Sequence, residues 1–85
     1  MKILVLNCGS SSVKYKLFDM DSKEVLAQGG VEKVGLAGAF LKLTLPSGEK
    51  VQLDKDIPEH QTAIEFILST LTSAEYGAIK SLDEI

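Results

Sequence analysis

The segment from Leu4 to Lys14 constrains this chain more than any other. Residues 2–7 form a short apolar run with β-branched members, Ile3 and Val5, the pattern of a buried strand. It ends at Asn7 and breaks into Cys8, Gly9 and three consecutive serines, Ser10, Ser11 and Ser12. Val13, Tyr15, Leu17 and Asp19 then alternate with Lys14, Lys16 and Phe18, the period of two that marks a second strand. Two strands joined by a Gly/Ser turn predict a β-hairpin. Glycine lets a backbone approach a ligand closely, and successive turn N–H groups form an anion-binding nest. Three hydroxyls and the Lys14 ammonium complete a cradle suited to phosphate. The Gly-x-x-x-x-Gly-Lys-Ser/Thr spacing of a Walker loop is absent, and a strand rather than a helix follows.

Further strands are expected over 24–34, 40–45 and 50–53, with Gly29-Gly30 marking a bulge in the first of these. Turns are expected at 19–22 and 46–49. The period then changes. Ile64, Ile67, Leu68 and Leu71 fall at i, i+3, i+4 and i+7, one face of a helix. Asp56-x-x-Glu59 resembles a capping box, Pro58 is tolerated in a first turn, and Gly77 is a candidate stop. The helix is therefore expected over about 58–74, and residues 81–85 show no recognisable cap. The fold class is α/β, α+β-like in this portion. It is a mostly antiparallel mixed sheet of about five strands with one C-terminal amphipathic helix. One helix covers one side, so the other sheet face needs a partner.

A chain of 85 residues is one domain or part of one. Its net charge of −3 argues against a nucleic-acid footprint, which needs a basic face. All nine basic residues are Lys, so the bidentate clamping of carboxylates and phosphoryl groups that usually falls to Arg is missing. The single cysteine, Cys8, excludes an intrachain disulfide and points to a reducing compartment, the cytoplasm. Lys2 precedes only four apolar residues, short of the roughly seven of a signal peptide. No run approaches the roughly 20 apolar residues of a membrane span, so no membrane partner is expected.

Phosphoryl transfer needs phosphate charge neutralised, a divalent metal and in-line positioning. Lys14 offers a point charge. Asn7 offers a neutral oxygen for Mg²⁺, directly or through water. The stretch Asn7-Cys8-Gly9-Ser10-Ser11-Ser12-Val13-Lys14 is similar to the N-terminal signature of acetate kinases, a strand followed by Asn-x-Gly-Ser-Ser-Ser-x-Lys. Glu59-His60-Gln61-Thr62-Ala63-Ile64 and the segment 79–85 also resemble the family, so the resemblance spans the whole chain.

That resemblance implies an incomplete domain, with residues 1–85 forming the N-terminal part of the first domain of the acetate and sugar kinase/heat-shock-chaperone/actin (ribonuclease H-like) fold. It implies reversible transfer of the ATP γ-phosphoryl group to acetate, giving acetyl phosphate and ADP, with Mg²⁺. By family role, Asn7 would contact Mg²⁺, while Gly9, Ser10, Ser12 and Lys14 would line or bind the ATP phosphates. Cys8 occupies the variable position of the signature. The family's substrate-clamping arginines, catalytic aspartate, transition-state histidine and metal-binding glutamate lie beyond the equivalent of Ile85. No catalytic residue is therefore expected within 1–85, and this portion alone is expected to be inactive. The full enzyme is expected to be a homodimer. Alternatives are a propionate or butyrate kinase of the same family, or a non-catalytic phosphate- or nucleotide-binding module.

Taken singly, these residues have simpler readings. A Gly-Ser-Ser-Ser turn is usually a polar hairpin connection. The flanking Asn7 and Lys14, with the whole-chain resemblance, reverse that reading. Cys8 reads as a small buried or semi-buried filler, and His60 as a surface or packing residue. Asp54, Asp56 and Glu59 read as capping and dipole residues, and Asp19, Asp21 and Glu24 as solvated. Tyr15, Phe18, Phe40 and Phe66 read as core. An uncovered sheet face with free strand edges predicts self-association of an isolated 85-residue chain.

Overall fold

Val13, Tyr15 and Leu17 are buried, and the lysines between them are exposed, so simple alternation decides which side of the sheet faces inward. A computed structural model describes residues 1–45 and 47–85. Its elements are β1 (Lys2–Cys8), β2 (Ser12–Asp19), β3 (Glu24–Glu32), β4 (Phe40–Thr44), β5 (Lys50–Asp54), α1 (His60–Leu71) and a short 3₁₀ turn, Leu82–Glu84. The five strands pair in chain order, β1-β2-β3-β4-β5, and every pairing is antiparallel. The mixed character expected of the sheet is therefore absent from these strands.

The inner face carries Leu17, Val31, Leu41 and Leu43, and α1 lies across β2 and β3 on that side. The helix buries Ala63, Ile67, Thr70 and Leu71, a stripe rotated slightly from the four aliphatics that mark it in the sequence. Ile64 and Leu68 are only half-buried beside it. Ile67 and Leu71 each contribute about 1.5–3 kcal/mol of gross hydrophobic stabilisation. Ile57, just before the helix, is fully buried and seats its start.

Several local expectations are corrected. The bulge lies not at Gly29-Gly30 but at Leu26, because Leu17 pairs with Ala27 while Phe18 pairs with Val25. Gly29 serves a close approach instead: a Cβ there would stand 2.0 Å from the Lys42 carbonyl oxygen. Strand β1 is not buried. It forms a sheet edge, with Ile3 38% and Val5 49% exposed. Helix α1 starts at N-cap Glu59, with no side-chain capping bond, so the Asp56–Glu59 box does not form. It ends at Leu71, where Thr70, Thr72 and Ser73 hydroxyls donate back to carbonyls of the preceding turn.

Gly77 is not the stop. It permits the tight return after the helix, where a Cβ would lie 2.2 Å from the Ser73 carbonyl oxygen. There the Leu71 carbonyl accepts from the N–H groups of both Ala78 and Ile79. Of the expected turn at 46–49, Pro46 lies outside the described residues, and the Gly48 N–H donates to the Leu45 carbonyl at 2.8 Å. Of the four aromatics assigned to the core, only Tyr15 is buried. Phe18, Phe40 and Phe66 are half-buried, each with a lysine ammonium over its ring: Lys16 at 5.9 Å, Lys42 at 5.7 Å and Lys55 at 4.7 Å.

The last residues do carry a cap. The Ser81 hydroxyl accepts from the Asp83 N–H, and the Glu84 carboxylate accepts from the N–H groups of Lys80 and Ser81. Glu84 also pairs with the Lys2 ammonium at 3.0 Å, tying this turn to β1. The Lys80 N–H first, and Lys2 after it, hold the Glu84 carboxyl below its ordinary pKa of 4.5.

Two outcomes follow from this packing. Gly29→Ala should disrupt the β3–β4 pairing and cost more than about 3 kcal/mol, whereas Gly30→Ala, with only ordinary contacts at 3.4 Å, should cost under about 1 kcal/mol; denaturant midpoints compare them. Glu84 binds its proton less tightly folded than unfolded, so its contribution is present above pH 4.5 and is lost as the pH falls through the lowered folded value. Glu84→Gln should therefore flatten the acid side of a stability-versus-pH profile and leave the alkaline side unchanged.

Candidate functional site

In the β1–β2 ladder Asn7 stands directly opposite Lys14. Directly opposed side chains share a face, here the one turned away from α1. The serine turn lies immediately beyond this pair, so the hairpin brings Asn7, Gly9, Ser10, Ser12 and Lys14 to one end of the sheet.

The turn is held at both ends. The Gly9 N–H donates to the Ser12 carbonyl at 2.8 Å, closing it internally, and the Ser11 carbonyl accepts from the Val34 N–H at 2.9 Å. A Cβ on Gly9 would stand 2.8 Å from the Ser12 Oγ, so the glycine leaves room for that hydroxyl inside the turn. Ser10 is exposed and Ser12 half-buried. Lys14 is exposed, and among the described residues only Lys2 and the Met1 ammonium pair with carboxylates. Its charge is therefore available to a ligand.

The same face continues as a shallow concavity of about 620 Å³, with Gly29 and Gly30 in its floor and Lys14, Lys16, Lys42 and Lys50 around it. Four of the nine lysines of a net acidic chain thus line one surface, which draws anions toward the hairpin end. Among the described residues no three His, Cys, Asp or Glu side chains gather as a metal set. A divalent cation here would rely on the neutral Asn7 oxygen, water and the oxygens of a bound phosphate, a donor set that suits Mg²⁺. The room left at Gly9, the hydroxyls and the free ammonium all fit a phosphate-bearing ligand.

Two residues depart from their sequence readings. Cys8 is exposed rather than a filler, because it lies at the open end of the edge strand. His60, read as surface or packing, hydrogen-bonds through Nε2 to the Gly9 carbonyl at 2.7 Å. No local pattern announces that contact, since the two residues are 51 positions apart. Tyr15, beside Lys14, has its phenol pushed up to about 12 by burial, which keeps it neutral and out of proton transfer.

The sequence model of the Acetokinase family matches residues 2–85. The chain belongs to that family. An acetate kinase of Phocaeicola vulgatus is 80% identical over 85 residues, which is 100% of this chain and 21% of that protein. An acetate kinase of Bacteroides thetaiotaomicron is 78% identical over the same span, again 21% of its length. The crystal structure of Porphyromonas gingivalis acetate kinase superposes with a TM-score of 0.96 at 69% identity, covering 99% of this chain and 21% of that one. The crystal structure of a propionate kinase from Francisella tularensis superposes with a TM-score of 0.75 at 25% identity, over 88% of this chain and 19% of that one. This acetokinase-family chain thus spans about one fifth of the length of the relatives it matches. Among its described residues, no helix is long and apolar enough to cross a membrane.

The contact at Gly9 generates a local test. The Ser12 hydroxyl can rotate, so Gly9→Ala should change stability by less than about 1 kcal/mol while turning that hydroxyl out of the turn. A denaturant midpoint and a crystal structure of the variant check both parts.

Proposed function

We propose that this chain is the phosphate-binding portion of an acetate kinase, which reversibly transfers the ATP γ-phosphoryl group to acetate to give acetyl phosphate and ADP. The observation that carries the reading is the facing pair Asn7 and Lys14 at the mouth of a tied serine turn. Identity of 80% to an acetate kinase, against 25% to a propionate kinase, supports acetate over propionate and butyrate.

In this reading Lys14 neutralises phosphate charge as a point cation, and the Ser10 and Ser12 hydroxyls orient phosphate oxygens. Gly9 lets the backbone of the turn come close. Bound Mg²⁺ supplies charge neutralisation across the phosphates, and Asn7 would hold it directly or through water. The acetate clamp and the catalytic acid–base groups belong to residues outside 1–85. The complete enzyme works as a cytoplasmic homodimer on ATP or ADP and acetate or acetyl phosphate, without nucleic acid or membrane.

Lys14→Ala in the full-length enzyme should lower kcat/KM for Mg-ATP by about 10²-fold, since one charged phosphate contact is removed. A change under about twofold would defeat the proposal. Preference for acetate over propionate and butyrate in the same assay tests the acyl assignment. The isolated 85-residue chain should form no acetyl phosphate above a no-enzyme control. It should also sediment as a dimer or larger, through the exposed Ile3 and Val5 of its edge strand.

A further inference from the structure

We infer that His60 is a positioning residue, which sets the orientation of the Gly9–Ser10 peptide so that its N–H faces a bound phosphate. The inference rests on the phosphate-binding reading of the turn. A carbonyl oxygen only accepts, so the 2.7 Å contact requires a hydrogen on Nε2 of His60. Both the Nε2–H tautomer and the imidazolium satisfy this, so the tether does not depend on the ring's charge.

A trans peptide is planar, with its C=O and N–H pointing in opposite directions. No cis peptide is present among the described residues. Drawing the Gly9 carbonyl toward the first residue of α1 therefore aims the Ser10 N–H away from the helix. Among the described residues no acceptor takes that N–H. It is left as a donor for a ligand, which is what an anion nest requires.

The bond also closes a ring. The Ser11 carbonyl accepts from the Val34 N–H, and the next residue's N–H, that of Gly35, donates to the Ile57 carbonyl at 2.7 Å. From Ile57 the chain runs three residues to His60, which returns to Gly9. Val34 is 6% exposed and Ile57 fully buried, so the ring is rooted in the core. Without His60 the turn keeps its tie at Ser11 but loses the one at Gly9, and the Gly9–Ser10 peptide is free to rotate. Such loss of orientation lowers binding and rate without removing any ligand contact.

The test uses the full-length enzyme with Mg-ATP, comparing His60→Leu, His60→Gln and His60→Asn with Lys14→Ala. The Gln amide carries a donor at about the reach of Nε2, and the Asn amide stops short of it. His60→Leu and His60→Asn should raise KM for ATP about tenfold and leave KM for acetate within about twofold. His60→Gln should stay within about twofold of the parent. Hydrogen exchange of a peptide covering 7–14 should quicken in the Leu and Asn variants and not in the Gln variant. If the Leu variant does not fold, the Gln–Asn comparison decides. Equal behaviour of Gln and Asn, or an unchanged KM for ATP in Leu and Asn, overturns the role of His60. Should Lys14→Ala also leave kcat/KM for Mg-ATP within about twofold of the parent, the phosphate-binding reading itself falls. A response to Lys14→Ala alone removes only the tether.

Discussion

The 2.8 Å bond from the Gly9 N–H to the Ser12 carbonyl closes the β1–β2 hairpin, and the register it sets is the constraint on which everything else in the molecule depends. A strand places alternate residues on opposite faces, so a slip of one position would send Lys14 into the core and Val13 into solvent. With the register as it is, Val13, Tyr15 and Leu17 face α1 while Asn7, Lys14 and Lys16 face the other way. The same closure thus selects the hydrophobic core and assembles the charged end of the site. Core and site are two readings of one ladder.

The helix contributes in a second way. Ile57, Ala63, Ile67 and Leu71 pack it on the sheet, and that packing delivers its first residue, His60, to the serine turn. A hydrophobic interface thereby determines the position of a polar side chain from a remote part of the chain. The opposite face is built on another principle. Gly30, opposite Lys14 and Lys42, places no side chain there, and lysines on β2, β4 and β5 surround the resulting trough. Phe18 and Phe40 spread beneath two of those lysines instead of entering the core, which supports the ammonium groups through the ring faces.

Where the information was local, it was legible in the sequence. Alternation along 13–19 located β2 and its inward face, and the Gly-Ser connection located the hairpin and the candidate phosphate residues. The expectations that failed concern partners distant along the chain. Leu4 to Leu6 looks buried by composition, yet burial depends on whether a strand lies beyond β1, and here β1 is an edge. Gly29-Gly30 looks like a bulge, but the backbone it accommodates belongs to Lys42, and Leu26 carries the irregularity with no marker of its own. Asp56 and Glu59 have the spacing of a cap, yet Ile57 between them is drawn into the core and the helix starts later. One failure was local: the cap that does form, at Ser81 and Glu84, has the standard Ser-x-x-Glu spacing, yet the sequence reading found no cap there.

The meander order of the sheet bears on how the protein is made. Each strand pairs only with its neighbours in sequence, so no pairing among these five waits for residues that are synthesised later. Each such pairing closes a shorter loop than a crossover connection would, and shorter loops cost less entropy to close. Domains generally take shape from the N-terminal side during translation, at about 5–20 residues per second. The serine turn and the strands that aim it can therefore assume their geometry on the ribosome, and residues added afterwards meet a template that is already shaped.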